Sequence, residues 1–198
     1  MDTTDTSWSI ESLHTLYKIS STINSARTRQ ELLSDFLDVF SRNTEVPASL
    51  VRLLADDGWM EIVSGFGIGK AQLEKFHKTP IDGGMFSRSS EVVTESNEAF
   101  LRDIVKDDSL SVYTIPVRCD GRTLGLINIY TETRKLSAEI HRLWLAAGEH
   151  LGQALDKFTE DAEQKQQLIQ NERNIIANEL HDSLAQTLAS LRFQVRVL

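Results

Sequence analysis

The sequence predicts an α/β (α+β) fold, in which an antiparallel sheet flanked by helices is followed by a long C-terminal coiled-coil helix. Three observations support this. Apolar residues recur every three or four positions before residue 43, and they alternate with polar residues in several segments between residues 48 and 130. From residue 137 to residue 198 the helical spacing returns, and no proline interrupts it.

Two core-facing helices are predicted between Ile10 and Asn43, after a disordered N-terminus of residues 1–9. The residues that define their inner faces have helical spacing: Leu13, Leu16, Tyr17, Ile19, Ser20 and Ile23 in the first helix, and Leu32, Leu33, Phe36, Leu37 and Phe40 in the second. Thr28 and Glu31 have the spacing of a capping box, so the second helix is expected to begin after Thr28.

Two hairpins are predicted from alternating, β-rich segments joined by turn residues. The first contains ASLVRLLA and WMEIVSGFGI around Asp56–Gly58, and the second contains SVYTIPVRC and RTLGLINIY around Asp120-Gly121. The segment between the hairpins is predicted to hold a short helix at Lys70–His77, a turn cluster at Thr79–Gly84, an edge strand near Val92–Thr94 and a short helix at Ala99–Val105.

This order of helices and hairpins, with IPV…G…LGLINIY near its end, resembles the GAF domain, and the resemblance covers roughly Ile10 to Phe158. GAF domains are α/β sensory folds with a central antiparallel sheet of five or six strands, and they commonly bind small ligands between the sheet and the variable segment. The resemblance therefore implies an unidentified small ligand in this cavity, expected near four aromatic residues: Phe66, Phe86, Phe100 and Tyr113.

The glycine-rich run Ser64–Gly69 offers a nucleotide loop as an alternative. It lacks the third glycine of the dinucleotide fingerprint and the Lys-Ser/Thr pair of a P-loop, so a strand end followed by a turn is favoured. Cys119 is the only cysteine and stands beside a predicted turn, and His77 is distant from it in sequence. No metal site and no cofactor are therefore predicted within this chain.

Charge and hydropathy limit the partners and the location. The net charge of −8 argues against nucleic acid as the main partner, since phosphate neutralisation needs clustered Lys and Arg. No apolar run reaches the roughly 18 residues that cross a bilayer, and a single cysteine is compatible with a reducing compartment. The chain is therefore expected to be cytoplasmic.

The predicted C-terminal helix carries an interrupted heptad pattern. The seam consists of Leu151, Leu155, Phe158, Ala162, Lys165, Ile169, Glu172 and Ile176, with polar residues at positions 165 and 172. A continuous helix from residue 137 to residue 198 would extend roughly 90 Å, which a single globule of this size does not cover. A homodimer with a parallel two-stranded coiled coil is therefore predicted, with residues 159–175 as a signalling helix.

The stretch ERNIIANELHDSLAQ, Glu172 to Gln186, is the most specific signal in the chain. At about 100° per residue, His181 lies beside the apolar stripe and shares its face with two small residues, Ala177 and Ala185. Asp182 and Gln186 are four residues apart on the adjoining flank. A neutral imidazole that attacks a phosphoryl group, oriented by a carboxylate, fits this arrangement. A solvated His-Asp surface pair is the alternative.

At ELHDSLAQ, preceded by Glu172, Arg173, Ile176 and Ala177, the chain resembles the Nar-type branch of two-component sensor histidine kinases. The resemblance implies that residues 176–198 are part of a dimerisation and phosphoacceptor helix. It also implies that His181 takes the γ-phosphoryl group of ATP and passes it to a response-regulator aspartate. Asp182 would be the acid/base partner, and Gln186 would position water when the regulator is dephosphorylated.

The same resemblance implies a longer parent protein. The ATP-binding domain, which would bind ATP with Mg, is expected outside these residues, and the parent is expected to be anchored in the inner membrane with this portion in the cytoplasm. A second class of function is a non-enzymatic, ligand-binding GAF module whose C-terminal coil only dimerises it and recruits a partner.

Overall fold

The structure is a computed structural model, and it describes residues 8–80, 94–95, 99–107 and 109–195. Within these ranges the side chains of Pro80, Thr94, Asp182 and residues 185–195 are outside the description. The chain divides into two compact units between Asp156 and Lys157, two residues before the predicted domain boundary at Phe158.

Five helices and six strands are described, in the order α1 (Ile10–Ser25), α2 (Arg29–Asn43), β1 (Ala48–Leu54), β2 (Trp59–Phe66), α3 (Lys70–Lys75), β3 (Lys78–Pro80), β4 (Thr94–Glu95), α4 (Ala99–Val105), β5 (Ser111–Cys119), β6 (Arg122–Thr131) and α5 (Ala138–Val195). The strands form one sheet in the order β3-β2-β1-β6-β5-β4, and every described pair is antiparallel. The predicted fold class is confirmed.

The two predicted hairpins are confirmed, and their turn residues explain their geometry. Cys119 pairs with Arg122 across Asp120 and Gly121, which have φ values of 48° and 75°. A two-residue loop with positive φ at both positions is the type I′ turn, whose twist matches that of the strands. In the first hairpin, Gly58 has a φ of 80° and closes a turn by donating to the Ala55 carbonyl at 3.0 Å.

The helix ends follow the sequence closely. Thr28 caps α2 by accepting a hydrogen bond from the Glu31 amide at 3.1 Å, while the Glu31 carboxylate accepts from the amide of Arg27 at 3.0 Å. The return bond of the predicted capping box is therefore made one residue before the cap. Ser137 caps α5 by accepting from the Ile140 amide at 3.2 Å.

Both faces of the sheet are covered. One face packs against α2 and the first turns of α5, where Phe36, Phe40, Trp144 and Leu151 are buried, and α1 packs on α2. The other face forms a cluster with α4, in which Leu50 and Tyr130 pack against Leu101 and Ile104. We call this second side the cavity face, because the GAF resemblance places the ligand there.

Two predictions for the segment between the hairpins need correction or fall partly outside the described residues. Thr79 and Pro80, predicted to begin a turn cluster, belong to strand β3, whose residues pair with the start of β2. The remaining residues of that cluster, 81–84, lie outside the described residues. The predicted edge strand is confirmed at Thr94, which pairs with Thr114, whereas residues 92–93 are outside the described part.

The N-terminus is tied to the start of α5. Residues 1–7 of the predicted disordered segment lie outside the described part of the chain, but Ser9 is the N-cap of α1. The Ser9 amide and the Ser12 hydroxyl both donate to Glu139 Oε1, at 2.8 and 2.7 Å. The Ser9 side chain, the Ser12 hydroxyl and the Ser9 amide lower the pKa of the Glu139 carboxyl to about 2, well below its ordinary value.

Candidate functional site

The C-terminal part of α5 leaves its apolar residues exposed. Ile169, Ile176, Leu180 and Leu184 are 45%, 48%, 60% and 63% exposed, respectively. Lys165 and Glu172, the polar members of the predicted seam, are exposed on the same helix. An apolar stripe that remains in water along several turns indicates a surface that packs against a partner helix.

His181 lies on this helix with its side chain exposed, one turn after Ala177. Backbone positions 182 and 186 follow in the same uninterrupted helix, one turn apart. The side chains of Asp182 and Gln186 lie outside the described residues, so the predicted arrangement of the three side chains stays a prediction.

The exposed imidazole has a chemical consequence. A histidine nitrogen that attacks phosphorus must be reached by a phosphate donor as large as a nucleotide bound to another domain. The small methyl group of Ala177 on the preceding turn leaves room on that side of the ring. This placement suits a group that a second protein domain must approach.

A second candidate site lies on the cavity face, where a polar row crosses three strands. Arg52 is 1% exposed and donates from Nε to Asn128 Oδ1 at 2.8 Å. Asn128 donates in turn from Nδ2 to Thr114 Oγ1 at 2.8 Å, and both of these residues are completely buried. The Arg52 guanidinium also lies 5.0 Å from the centre of the Phe100 ring. A buried, hydrogen-bonded cation on this face can recognise an anionic or strongly accepting group.

The prediction that four aromatic residues line one ligand pocket is wrong. Phe66 and Tyr113 are aligned in one row across the sheet with Ser49 and Ile129. This row lies on the face covered by α2 and α5, which we call the helix-covered face. Tyr113 accordingly contacts Trp144 of α5, with ring centroids 5.8 Å apart. Phe100 lies on the opposite, cavity face, and Phe86 lies outside the described residues.

Sequence reasoning missed the polar row because Arg52 was treated as an ordinary strand residue. In ASLVRLLA, Arg52 and Leu50 share one face, so a single charge stands among apolar neighbours on both sides of the strand. One sequence feature could have indicated the polar row. It is an arginine inside a strand whose neighbouring residues are suited to a core.

The Gly-rich run has a structural role. Gly67 has a φ of 68°, and a Cβ added there would overlap the carbonyl oxygen of Pro47. The glycine is therefore required by a close approach of two backbone segments.

Cys119 ends β5, as predicted. It is buried, and its thiol donates to Asp156 Oδ2 at 3.5 Å, while Arg122 pairs with the other oxygen of Asp156 at 3.0 Å. Burial, followed by the bond to Asp156, raises the pKa of the Cys119 thiol. The ligand atoms of Cys119, Asp120 and Asp156 lie within 4.8 Å of one another.

Helix α5 is packed directly on strand β5. A Cβ at Gly148 would overlap the carbonyl oxygen of Pro116, and a Cβ at Gly152 would overlap that of Arg118. Both contacts are made on the helix-covered face, two to four residues along β5 from Thr114 of the polar row. The strand that carries part of the cavity face therefore touches the helix that leads to His181.

Among the described residues, no helix has both the length and the hydropathy needed to span a bilayer.

Comparisons with known proteins give separate similarities for the C-terminal segment and for the first unit. Residues 172–198 match the family HisKA_3, described as histidine kinase. The chain is 23% identical over 178 residues to the Nif-specific regulatory protein of Herbaspirillum seropedicae, which covers 82% of this chain and 33% of that protein. The chain thus spans about a third of the length of this relative.

Solved structures identify the fold of the first unit. The GAF domain of a phosphoenolpyruvate-protein phosphotransferase from Coxiella burnetii has a TM-score of 0.63 at 16% identity, covering 77% of this chain and 97% of that one. A domain of a putative two-component sensor histidine kinase from Sinorhizobium meliloti has a TM-score of 0.57 at 13% identity, covering 71% and 99%, respectively. At these identities the likeness establishes the fold alone.

Proposed function

For a chain that joins a GAF fold to a histidine kinase segment of the HisKA_3 family, we propose the following function. It is the sensory and phosphoacceptor portion of a two-component sensor histidine kinase, an ATP-dependent protein histidine kinase that also dephosphorylates its response regulator. His181 receives the phosphoryl group of ATP and passes it to a response-regulator aspartate. The single observation that carries the proposal is the exposed His181 within the matched segment, residues 172–198.

The proposed transfer is a displacement at phosphorus. A neutral imidazole nitrogen of His181 forms a bond to the γ-phosphorus, and the bond from that phosphorus to the bridging oxygen breaks, so ADP leaves with the electron pair. Asp182 accepts a hydrogen bond from the other ring nitrogen, which fixes the tautomer and stabilises the positive charge that develops on the ring. When the response regulator is dephosphorylated, Gln186 holds the water that attacks the phosphorus of the regulator's phosphorylated aspartate.

ATP and its Mg²⁺ are proposed to bind a catalytic domain elsewhere in a longer protein. Mg²⁺ would neutralise charge on the transferred phosphate. The residues described here are proposed to contribute only the acceptor. The parent is proposed to be anchored in the inner membrane, with this portion in the cytoplasm.

The homodimer is proposed to form along α5. Exposed apolar residues recur on the helix beyond Lys157, and a second copy in parallel would cover them. The polar positions Lys165 and Glu172 weaken this coil locally, so two packings of similar free energy are available to a signal. Replacing both residues by Leu should fix the ratio of kinase activity to phosphatase activity of the full-length protein, so that it no longer responds to the signal.

Phosphorylation of the 198-residue chain tests the proposal. With the catalytic domain of a related kinase, Mg²⁺ and γ-labelled ATP, the chain should acquire acid-labile phosphate, and His181→Gln should abolish it. His14→Gln is the matched control, because His14 is also exposed on a helix. Label that survives in His181→Gln, or that is absent from the unaltered chain, contradicts the proposal.

A second candidate function is a non-enzymatic, ligand-binding GAF module that dimerises through its coil. The similarity to a regulatory protein, the Nif-specific regulatory protein, over 82% of the chain favours this alternative, as does the buried Arg52 row on the cavity face. Under this alternative the chain binds a ligand but never receives phosphate on His181. The labelling experiment therefore separates the two functions.

A further inference from the structure

We propose that Asp156 is a positioning residue that clasps helix α5 to the β5–β6 turn, and that opening of this clasp lowers the rate at which His181 receives phosphate. The clasp consists of three side chains: Cys119 and Arg122 on the two sides of the turn, and Asp156 on the helix. The clasp itself is independent of the proposed function, whereas its effect on His181 rests on that function.

The two carboxylate oxygens of Asp156 contact different residues of the turn. Oδ2 accepts a hydrogen bond from the Cys119 thiol at 3.5 Å, and Oδ1 accepts one from Arg122 Nη2 at 3.0 Å. The Asp156 side chain is 19% exposed, so its charge is largely shielded from water and is compensated by these partners. One carboxylate therefore joins both ends of the turn to α5.

A β-bulge in β6 directs Arg122 towards α5. The register of β5 and β6 shifts between Val117 and Arg118, which leaves one extra residue in β6. One extra residue reverses the alternation of side chains, so Arg122 lies on the same face as its partner Cys119. Without the bulge, Arg122 would lie on the cavity face, away from Asp156. The strand geometry therefore places the arginine where the clasp needs it.

The clasp lies at the point where α5 leaves the sheet. Asp156 is the last residue of the first unit. One turn earlier, Gly152 lies against the Arg118 carbonyl, so the helix is in backbone contact with β5 there. From Thr159 onward every described side chain of α5 is exposed. The clasp is therefore the final contact of the helix with the β5–β6 hairpin before its exposed part begins.

This position lets the clasp influence the rest of the helix. Helix α5 continues without a break from Ala138 to Val195, so a change in how its turn at Asp156 is held is carried along the helix. With the clasp closed, that turn is held in one position on the hairpin. With the clasp open, additional positions are populated, and fewer chains present His181 in the orientation that accepts phosphate.

The rate at which iodoacetamide modifies Cys119 measures opening of the clasp, because Cys119 is buried and is the only cysteine. Asp156→Asn removes one charge of the ion pair, and Arg122→Gln removes the other. Each variant of the 198-residue chain should be modified at least about threefold faster, in line with the loss of one partly exposed ion pair. Glu132→Gln, which removes an exposed carboxylate just after β6, should leave the rate unchanged.

A comparison of the two variants separates opening from a change in thiol ionisation. Burial raises the pKa of the Cys119 thiol most, Asp156 raises this pKa further, and Arg122 lowers it. With the clasp still closed, Arg122→Gln would therefore reduce the thiolate fraction and slow the modification. Faster modification of this variant consequently requires opening of the clasp.

The effect on His181 is tested by phosphate labelling of the same variants with the catalytic domain of a related kinase. Asp156→Asn and Arg122→Gln should each take up label at least about threefold more slowly than the unaltered chain, and Glu132→Gln should match that chain. Arg122→Lys keeps the positive charge, so both of its rates should stay within about twofold of those of the unaltered chain.

Two kinds of result would overturn the proposal. Unchanged Cys119 modification in Asp156→Asn and Arg122→Gln, or slower modification in Arg122→Gln, would overturn the clasp. Faster modification with unchanged phosphate uptake would overturn its control of His181. Absence of label from the unaltered chain would contradict the proposed function and with it this control, while the Cys119 rates, which do not depend on His181, still decide the clasp.

Discussion

Residues 8–156 and the helix beyond Lys157 place their apolar side chains in opposite ways. In the first unit, Phe36, Leu50, Ile127 and Leu151 are completely buried, and the sheet is covered on both faces. In the second, Leu180 remains 60% exposed along a helix with no described residue packed over it. The first unit therefore contains its own core, whereas the second leaves apolar side chains exposed along its described residues.

The strongest test of this difference is Phe36→Ala. Phe36 is completely buried and stacks on Phe40 with ring centroids 5.7 Å apart. Its loss removes buried apolar surface and leaves a cavity, so the free energy of unfolding should fall by about 3–5 kcal/mol. Urea unfolding followed by far-ultraviolet circular dichroism measures this, and a loss below about 1 kcal/mol would contradict a continuous core.

A smaller effect is expected where α5 meets the sheet. Gly152→Ala forces a methyl group against the Arg118 carbonyl, which should cost about 1–3 kcal/mol because the backbone must move. Gly69→Ala is the matched control, since a Cβ at Gly69 meets nothing within 4 Å and no positive φ is required there. Equal unfolding free energies for the two variants would show that α5 is not packed on β5 as described.

The tether between α1 and α5 should give a pH-dependent effect. The folded-state pKa of Glu139 is about 2, below its ordinary value of 4.5, so its contribution is fully present above pH 4.5 and is lost as the pH falls towards 2. Glu139→Gln should lower the Tm near neutral pH, and its difference from the unaltered chain should shrink over that interval. Glu132→Gln serves as the control, and a Tm difference that does not change with pH would rule out this role for Glu139.

The smallest effect on the first unit is expected from Leu180→Ala. Because Leu180 is exposed in the second unit, the unfolding free energy of the first unit should change by no more than about 0.5 kcal/mol. Self-association, measured by sedimentation, should nevertheless weaken, since the side chain belongs to the proposed interface. A destabilised first unit, or unchanged self-association, would remove the contrast between the two units.

The sequence predicted local structure well wherever a periodicity and a turn signal coincided. Alternation around Asp120-Gly121 located the second hairpin, and Thr28 marked the start of α2. Thr79 and Pro80 were assigned to a turn because a short edge strand has little pattern of its own.

Long-range contacts could not be predicted from the same patterns. The assignment of Phe66 and Tyr113 to a ligand pocket failed because the register that aligns them with Ser49 and Ile129 is set between strands distant in sequence. The burial of Arg52 and the contact of Gly152 with Arg118 depend on the same packing. The segment that matches the histidine kinase family was different, because ELHDSLAQ is contiguous and needs no tertiary information.

The close packing of α5 on β5 also determines how this chain can be recombined with others. A first unit cut after Thr131, the last residue of the sheet, would lose Trp144, Ala147, Leu151 and Leu155 from its interior. A hybrid that joins this module to a foreign output must therefore place its junction beyond Asp156. The first five turns of α5 belong to the first unit, and only the residues after them are exchangeable.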